Sequence, residues 1–280
     1  MKYKIVVDSC SDLTQEVKDD GHFRVVPLTL QIGGKSFIDD ESFDQKEFLR
    51  LVKESTSCAK TACPSPEAFL RAYGEDDAEM IFVITLSKHL SGTYDSAELA
   101  KKLYEEEHPG EKQIHVFNSN SACCGETLIG FKIQELAEAG ASFEEIIEKV
   151  DQFRDEMRTY FVLEDMETLR KNGRLTGLAA ILATALHIKP VMSARDGVII
   201  KLDQSRGIQR ALKKMVDYVV QNSKNTEKKV LGITHVNCPD RAEAVREMIC
   251  SRLPFRKVYV VNAAGVSTTY ANDGGIVVTV

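Results

Sequence analysis

The stretch Met80–Ala97, MIFVITLSKHLSGTYDSA, decides the fold. It opens with the apolar run Met80-Ile81-Phe82-Val83-Ile84-Thr85-Leu86, which reads as a buried strand. A helical pattern follows from about Tyr94 to Tyr104. Between the two lies Ser87-Lys88-His89-Leu90-Ser91-Gly92-Thr93, a short loop dense in hydroxyls. A strand that turns into a helix through Ser-Gly-Thr makes an anion seat. The first helical turn has free N–H groups, and the helix dipole favours negative charge there. Gly92 lets a ligand approach the backbone, and Ser91, Thr93 and Ser87 supply hydroxyls. A plainer reading stands beside it, in which Ser91 only caps its helix.

The same unit recurs on either side. Lys4-Ile5-Val6-Val7-Asp8 is a strand that ends in the polar run Ser9-Cys10-Ser11-Asp12. Ile114–Asn118 is a strand followed by Ser119-Asn120-Ser121 and a helix over about Cys123–Ala137. A further helix, Ser142–Met157, starts with an S-x-x-E capping box at Ser142 and Glu145. Strand and helix alternating through short connections predict a parallel sheet covered on both faces. Phe23–Ile32, Gly33-Gly34 and Lys35–Ile38 read as a β-hairpin inserted near 23–40, Asp44–Glu54 as a helix, and Cys58–Pro66 as a loop.

The pattern changes near Arg158. Thr159–Leu163 is a strand, Glu164–Asn172 a short helix, and Leu175–Leu186 an Ala-rich apolar helix. Asp196-Gly197 between Ile188–Met192 and Val198–Lys201 is a strong hairpin signal. Helices over Ser205–Asn222 and Pro239–Leu253 alternate with strands over Lys229–Val236, Lys257–Ala263 and Ile276–Val280. The expected fold is α/β: an N-terminal parallel-sheet, Rossmann-like domain over 1–158 and a C-terminal mixed α+β domain over 159–280.

Composition narrows the function. Thirty-six basic against 42 acidic residues give a net charge of −6, which disfavours a nucleic-acid or anionic-membrane surface. No run reaches the ~18 apolar residues of a membrane span, and Met1-Lys2-Tyr3-Lys4 is no signal peptide, so a cytoplasmic protein is expected. The seven cysteines include no C-x-x-C pair and read as free thiols. Neither a phosphate-binding G-x-x-x-x-G-K-[ST] loop nor a G-x-G-x-x-G fingerprint is present. No G-x-S-x-G elbow makes Ser91 a nucleophile, and none of the six histidines is spaced as a metal pair. Hydroxyls on strand-end loops remain: Ser9, Ser11, Thr61, Ser87, Ser91, Thr93, Ser119 and Ser121. Such groups bind a carboxylate or phosphate without covalent chemistry. An enzyme, a hydrolase or phosphotransferase acting on a small anion with His89 as base, is the alternative.

Several landmarks together resemble the DegV family of fatty-acid-binding proteins along the whole chain. They are Ile5-Val6-Val7-Asp8-Ser9 with Asp12-Leu13, Thr61 with Pro64-Ser65-Pro66, and Leu90-Ser91-Gly92-Thr93-Tyr94. Leu169 with Gly173-Arg174-Leu175, and Ile188-Lys189-Pro190, complete the set. The resemblance implies a long-chain fatty acid in an apolar tunnel between the domains. Its carboxylate would be held by Thr61 and Ser91. It implies a carrier that is not itself an enzyme and presents the carboxylate to a separate fatty acid kinase; a monomer without a cofactor is expected. Arg174 and Arg206 match basic positions implicated in that encounter. Asn118 stands where Asp is common, and Ala62-Cys63 replaces a more polar pair. The C-terminal Gly-rich loop, Val266–Gly275, has Tyr270 where the family usually has His. A phenol donates a hydrogen bond but is neutral near pH 7.

Overall fold

Four parallel strands, β1 (Tyr3–Asp8), β2 (Phe23–Val26), β6 (Met80–Thr85) and β7 (Gln113–Asn118), stand in the order β2-β1-β6-β7. This is a computed structural model, and it describes residues 2–175 and 187–280. Every residue of β6 is buried, as its apolar run requires. Successive side chains alternate between faces. Ile5, Val7, Phe82 and Ile84 pack against α5 (Cys124–Glu138) and α6 (Phe143–Glu156). Val6, Ile81 and Val83 pack on the opposite face against α3 (Pro66–Gly74) and α4 (Thr93–Glu107). The capping box at Ser142 and Glu145 is formed.

A second, mixed sheet contains β8 (Thr159–Val162), β9 (Ile188–Arg195), β10 (Val198–Arg206), β11 (Val230–His235), β12 (Lys257–Asn262) and β13 (Ile276–Thr279). Its order is β10-β9-β8-β13-β11-β12, antiparallel except at β11–β12. Helices α8 (Ile208–Asn222) and α9 (Pro239–Cys250) cover one face with Leu212, Met215, Val216, Val245 and Ile249. Asp196 and Gly197 turn the β9–β10 hairpin with φ of 50° and 79°, the positive values that a two-residue turn of this hand needs. The architecture is the two-domain α/β fold expected, with a parallel and a mixed sheet.

Three local expectations are corrected. Phe23–Ile32 is not one run. It breaks at Pro27, which has no N–H for a ladder, and Thr29–Ile32 becomes β3 of a separate sheet. There β3 pairs with β4 (Lys35–Ile38) on one edge and β5 (Lys60–Ala62) on the other. The stretch Cys58–Pro66 therefore contains a strand rather than loop alone, because β3 offers an edge that no local signal announces. Finally, the expected C-terminal loop begins as a helix, α10 (Gly265–Ala271). The remaining helices are α1 (Gln15–Asp19), α2 (Gln45–Glu54) and α7 (Glu167–Lys171). The Ala-rich helix expected over 175–186 lies, beyond Leu175, outside the described residues. Among the described residues no helix is long and apolar enough to cross a membrane.

Candidate functional site

The loops at the carboxyl ends of β1, β6 and β7 face the second sheet, and a cavity lies between them. Its walls are largely apolar, with Leu28 and Leu86 on one side and Phe161, Leu163, Ile199 and Val277 on the other. The cavity volume is ≈ 100 Å³.

The polar part of the lining has six hydroxyls, those of Thr61, Ser91, Ser121, Thr159, Ser267 and Tyr270, with the Asn120 amide and one cation, Arg174. Pairing of β5 with β3 sets Thr61 opposite Leu30, with Lys60 and Ala62 exposed on either side. The Thr61 hydroxyl lies 2.9 Å from the phenol of Tyr270, the penultimate residue of α10. Ser91 ends the loop after β6, its hydroxyl 2.9 Å from that of Thr93. Gly92, not Ser91, occupies the N-cap position of α4, and the Thr93 N–H reaches the Ser91 hydroxyl only at 3.4 Å. Capping is thus a weak use of Ser91, and the residue lines the cavity. Arg174 lines the same space. Its Nε donates to the Leu90 carbonyl at 2.9 Å, and its guanidinium sits 5.6 Å from the centre of the Tyr270 ring. Hydroxyls beside one guanidinium, on an otherwise apolar wall, suit a ligand with an anionic head and a long apolar body.

The other expected site residues stand elsewhere. Ser87 is buried, and its hydroxyl donates to the Gly197 carbonyl at 2.7 Å, tying the β6 loop to the β9–β10 turn. Gly92 and Thr93 are not in the lining. A side chain at Gly92 would meet the Cys63 sulfur at 3.7 Å, an ordinary contact. His89, the base of the alternative reading, is absent from the lining as well. Arg206 is exposed at the end of β10 and does not reach the cavity.

Sequence reasoning missed a set of buried acids behind the cavity. Asp8 accepts the N–H groups of Cys10 and Leu86 at 2.9 and 2.8 Å, so it fixes the start of the hydroxyl loop. Burial nevertheless raises its pKa to about 7. Glu126 accepts from the Ser11 hydroxyl at 3.0 Å. Burial first, then the nearby Asp8 charge, push it well above the usual carboxylate range. Among the described residues Asp8, Cys10 and Glu126 form the one grouping of metal-ligating types. Its donors do not suit an ion, because both Asp8 oxygens are committed to backbone amides and one Glu126 oxygen to the Ser11 hydroxyl. Asp39 was equally unforeseen, and Asp39-Asp40-Glu41 after the β4 strand was its only local signal.

Comparison with known proteins places this geometry. A family model described as "Uncharacterised protein, DegV family" matches residues 2–280. A DegV domain-containing protein of Streptococcus pneumoniae R6 is 32% identical over 281 residues, covering 99% of this chain and 98% of its own. A DegV-family crystal structure from Ruminococcus gnavus, refined with vaccenic acid, is 50% identical with a TM-score of 0.96 and covers 99% of both chains. The Streptococcus pneumoniae fatty acid kinase (Fak) B3 protein loaded with linoleic acid is 30% identical, with a TM-score of 0.89, covering 100% of this chain and 99% of its own. A DegV-family protein from Eubacterium eligens loaded with heptadecanoic acid is 31% identical, with a TM-score of 0.89, covering 99% and 98%.

Proposed function

This chain belongs to the DegV family, and from that membership we propose that it binds a long-chain fatty acid in the cavity between its two sheets. The carboxylate lies at Thr61, Ser91 and Tyr270, with Arg174 supplying positive charge. The acyl chain runs along Leu28, Phe161, Leu163 and Val277. The observation that carries the reading is the apolar cavity itself, with the Thr61 and Tyr270 hydroxyls and the Arg174 guanidinium gathered on one part of its wall and Ser91 in the same lining. Burying a 16-carbon chain at ~0.8 kcal/mol per methylene supplies about 12 kcal/mol before association costs. The protein then serves as a carrier in the cytoplasm, a monomer that needs no cofactor, and a separate fatty acid kinase receives the carboxylate for acyl phosphate formation. Arg206, exposed and outside the cavity, remains the partner-facing residue, whereas Arg174 acts on the head group. The boundary between the two domains falls at Arg158 and Thr159.

The test is uptake of oleate by delipidated protein. Stoichiometric uptake is expected, and Ala271→Trp, which fills the cavity, abolishes it. No uptake by the unaltered chain, or equal uptake by the folded variant, would remove the cavity from the function.

A further inference from the structure

Helix α10 comes from the C-terminal half of the chain but packs among η-turn Ser9–Ser11, α2, β3 and β5, all from the N-terminal half, and against α7. It brings Val266, Ser267, Tyr270 and Ala271 to the cavity wall. Being only two turns long and rich in Thr, Ser and Gly, it has little intrinsic tendency to hold its own shape. What holds it comes from the opposite half. The buried carboxylate of Asp39 accepts the Gly265 N–H at 2.6 Å and the Val266 N–H at 2.8 Å, one on each oxygen. The buried carboxylate of Asp12 accepts the Ala264 N–H at 2.7 Å. Three consecutive amides are therefore taken by two acids. On the other flank the Gln45 side-chain amide donates to the Ala263 carbonyl and the Thr268 hydroxyl, both at 2.9 Å.

The fit leaves no slack. A Cβ added at Gly265 would lie 2.4 Å from Leu30 Cδ1 and 2.6 Å from Asp39 Oδ1. Five acids, Asp8, Asp12, Asp39, Asp40 and Glu41, line a solvent-side recess here with Lys18 as its one cation. The two clamping carboxylates thus rely on backbone amides for compensation, and those amides are the start of the helix that carries Tyr270.

Resting on the fatty-acid reading of the cavity, we propose that Asp39 and Asp12 are positioning residues of the ligand site: they clamp α10 so that Tyr270 meets Thr61 at the ligand head. Neither acid touches the cavity space itself, and both act through the helix. Loss of the clamp lets α10 shift, separates Tyr270 from Thr61, and speeds ligand escape.

The experiment measures oleate dissociation and amide hydrogen exchange on the full chain, for the unaltered protein, Asp39→Asn and Gly265→Ala. The first variant turns an acceptor oxygen into an amide NH2 donor that faces the helix N–H groups. The second drives the carboxylate off them without changing charge, and it keeps the test alive where Asp39→Asn does not fold. Expected are faster exchange at 264–266, unchanged protection in β6, and oleate dissociation about tenfold faster in both variants. A global loss of protection with an unaltered dissociation rate would mark a merely structural role and overturn the proposal. So would local loss of protection without faster dissociation, or no local loss at all. An unaltered protein that takes up no oleate overturns the reading of the cavity, and this inference with it, whereas normal uptake with unchanged variants overturns the inference alone.

Discussion

Replacing Tyr270 with Phe removes one oxygen atom and leaves the ring. The stacking of Arg174 on that ring and the apolar filling of the wall are retained. What disappears is the hydroxyl that stands 2.9 Å from Thr61. Without ligand this is one neutral, half-buried hydrogen bond, worth about 1 kcal/mol, or about 2–4 °C of melting temperature in a chain of this size. With a carboxylate bound, the lost donor served a charge, and the cost rises to about 1.5–3 kcal/mol. The dissociation constant should therefore increase about 10- to 150-fold while the melting temperature of the ligand-free protein falls by only about 2–4 °C. Titration calorimetry or displacement of a fluorescent fatty acid measures the first, and calorimetric melting the second. Tyr270→Ala, which also removes the ring, should cost more than Tyr270→Phe. An unchanged dissociation constant in Tyr270→Phe would refute the placement of the head group, whatever the ligand.

Other outcomes follow from the same geometry. Ser91→Ala should weaken fatty-acid binding by roughly 1–3 kcal/mol, whereas Ser87→Ala should lower thermal stability and leave the dissociation constant alone, because its hydroxyl serves Gly197 rather than the cavity. Gly197→Ala combines a φ of +79° with a Cβ placed 2.5 Å from Ser87 Oγ, so a loss of about 2 kcal/mol is expected in denaturant unfolding. Stability should also depend on pH in an unusual direction. Burial raises Asp8 and Asp12 to about 7 and Asp39 to about 6, against an ordinary 3.8. The folded chain therefore holds protons that the unfolded chain releases, so this stability is complete below pH 3.8 and is lost as pH rises through 6–7. Glu126, pushed up by burial and by the Asp8 charge, faces Asp8, and Asp40, Glu41 and Lys18 line the recess rim. Between pH 8 and pH 6 these three acids should add about 3 kcal/mol, seen as a rising melting temperature, and a falling one would contradict their burial.

How legible was this site in the chain? The strand, loop and helix of Met80–Glu107 were plain, since an apolar run buried on both faces has no other reading and the hydroxyls sit at its end. The Asp196-Gly197 hairpin was equally local. The partners of Ser91 were not. Thr61 enters the cavity because β5 adds to β3, a pairing over a separation that no turn signal reports. Tyr270 enters because α10 forms, and α10 is held by Asp12 and Asp39 from the far half of the chain rather than by its own residues. Arg174 reads locally as a solvated cation after a Gly turn. It lines the cavity only because the Leu90 carbonyl draws its guanidinium inward. Ser87 illustrates the reverse error, where a hydroxyl on the right loop points at a neighbouring turn. Local periodicity fixes elements, while the site is made of contacts between elements that are distant in sequence.

Mass spectrometry of the purified protein, denatured and extracted with organic solvent, tests the central claim most directly. Close to one long-chain fatty acid per chain is expected, retained through purification and lost when Ala271→Trp fills the cavity. Protein that carries no fatty acid and takes up none when oleate is added would contradict it.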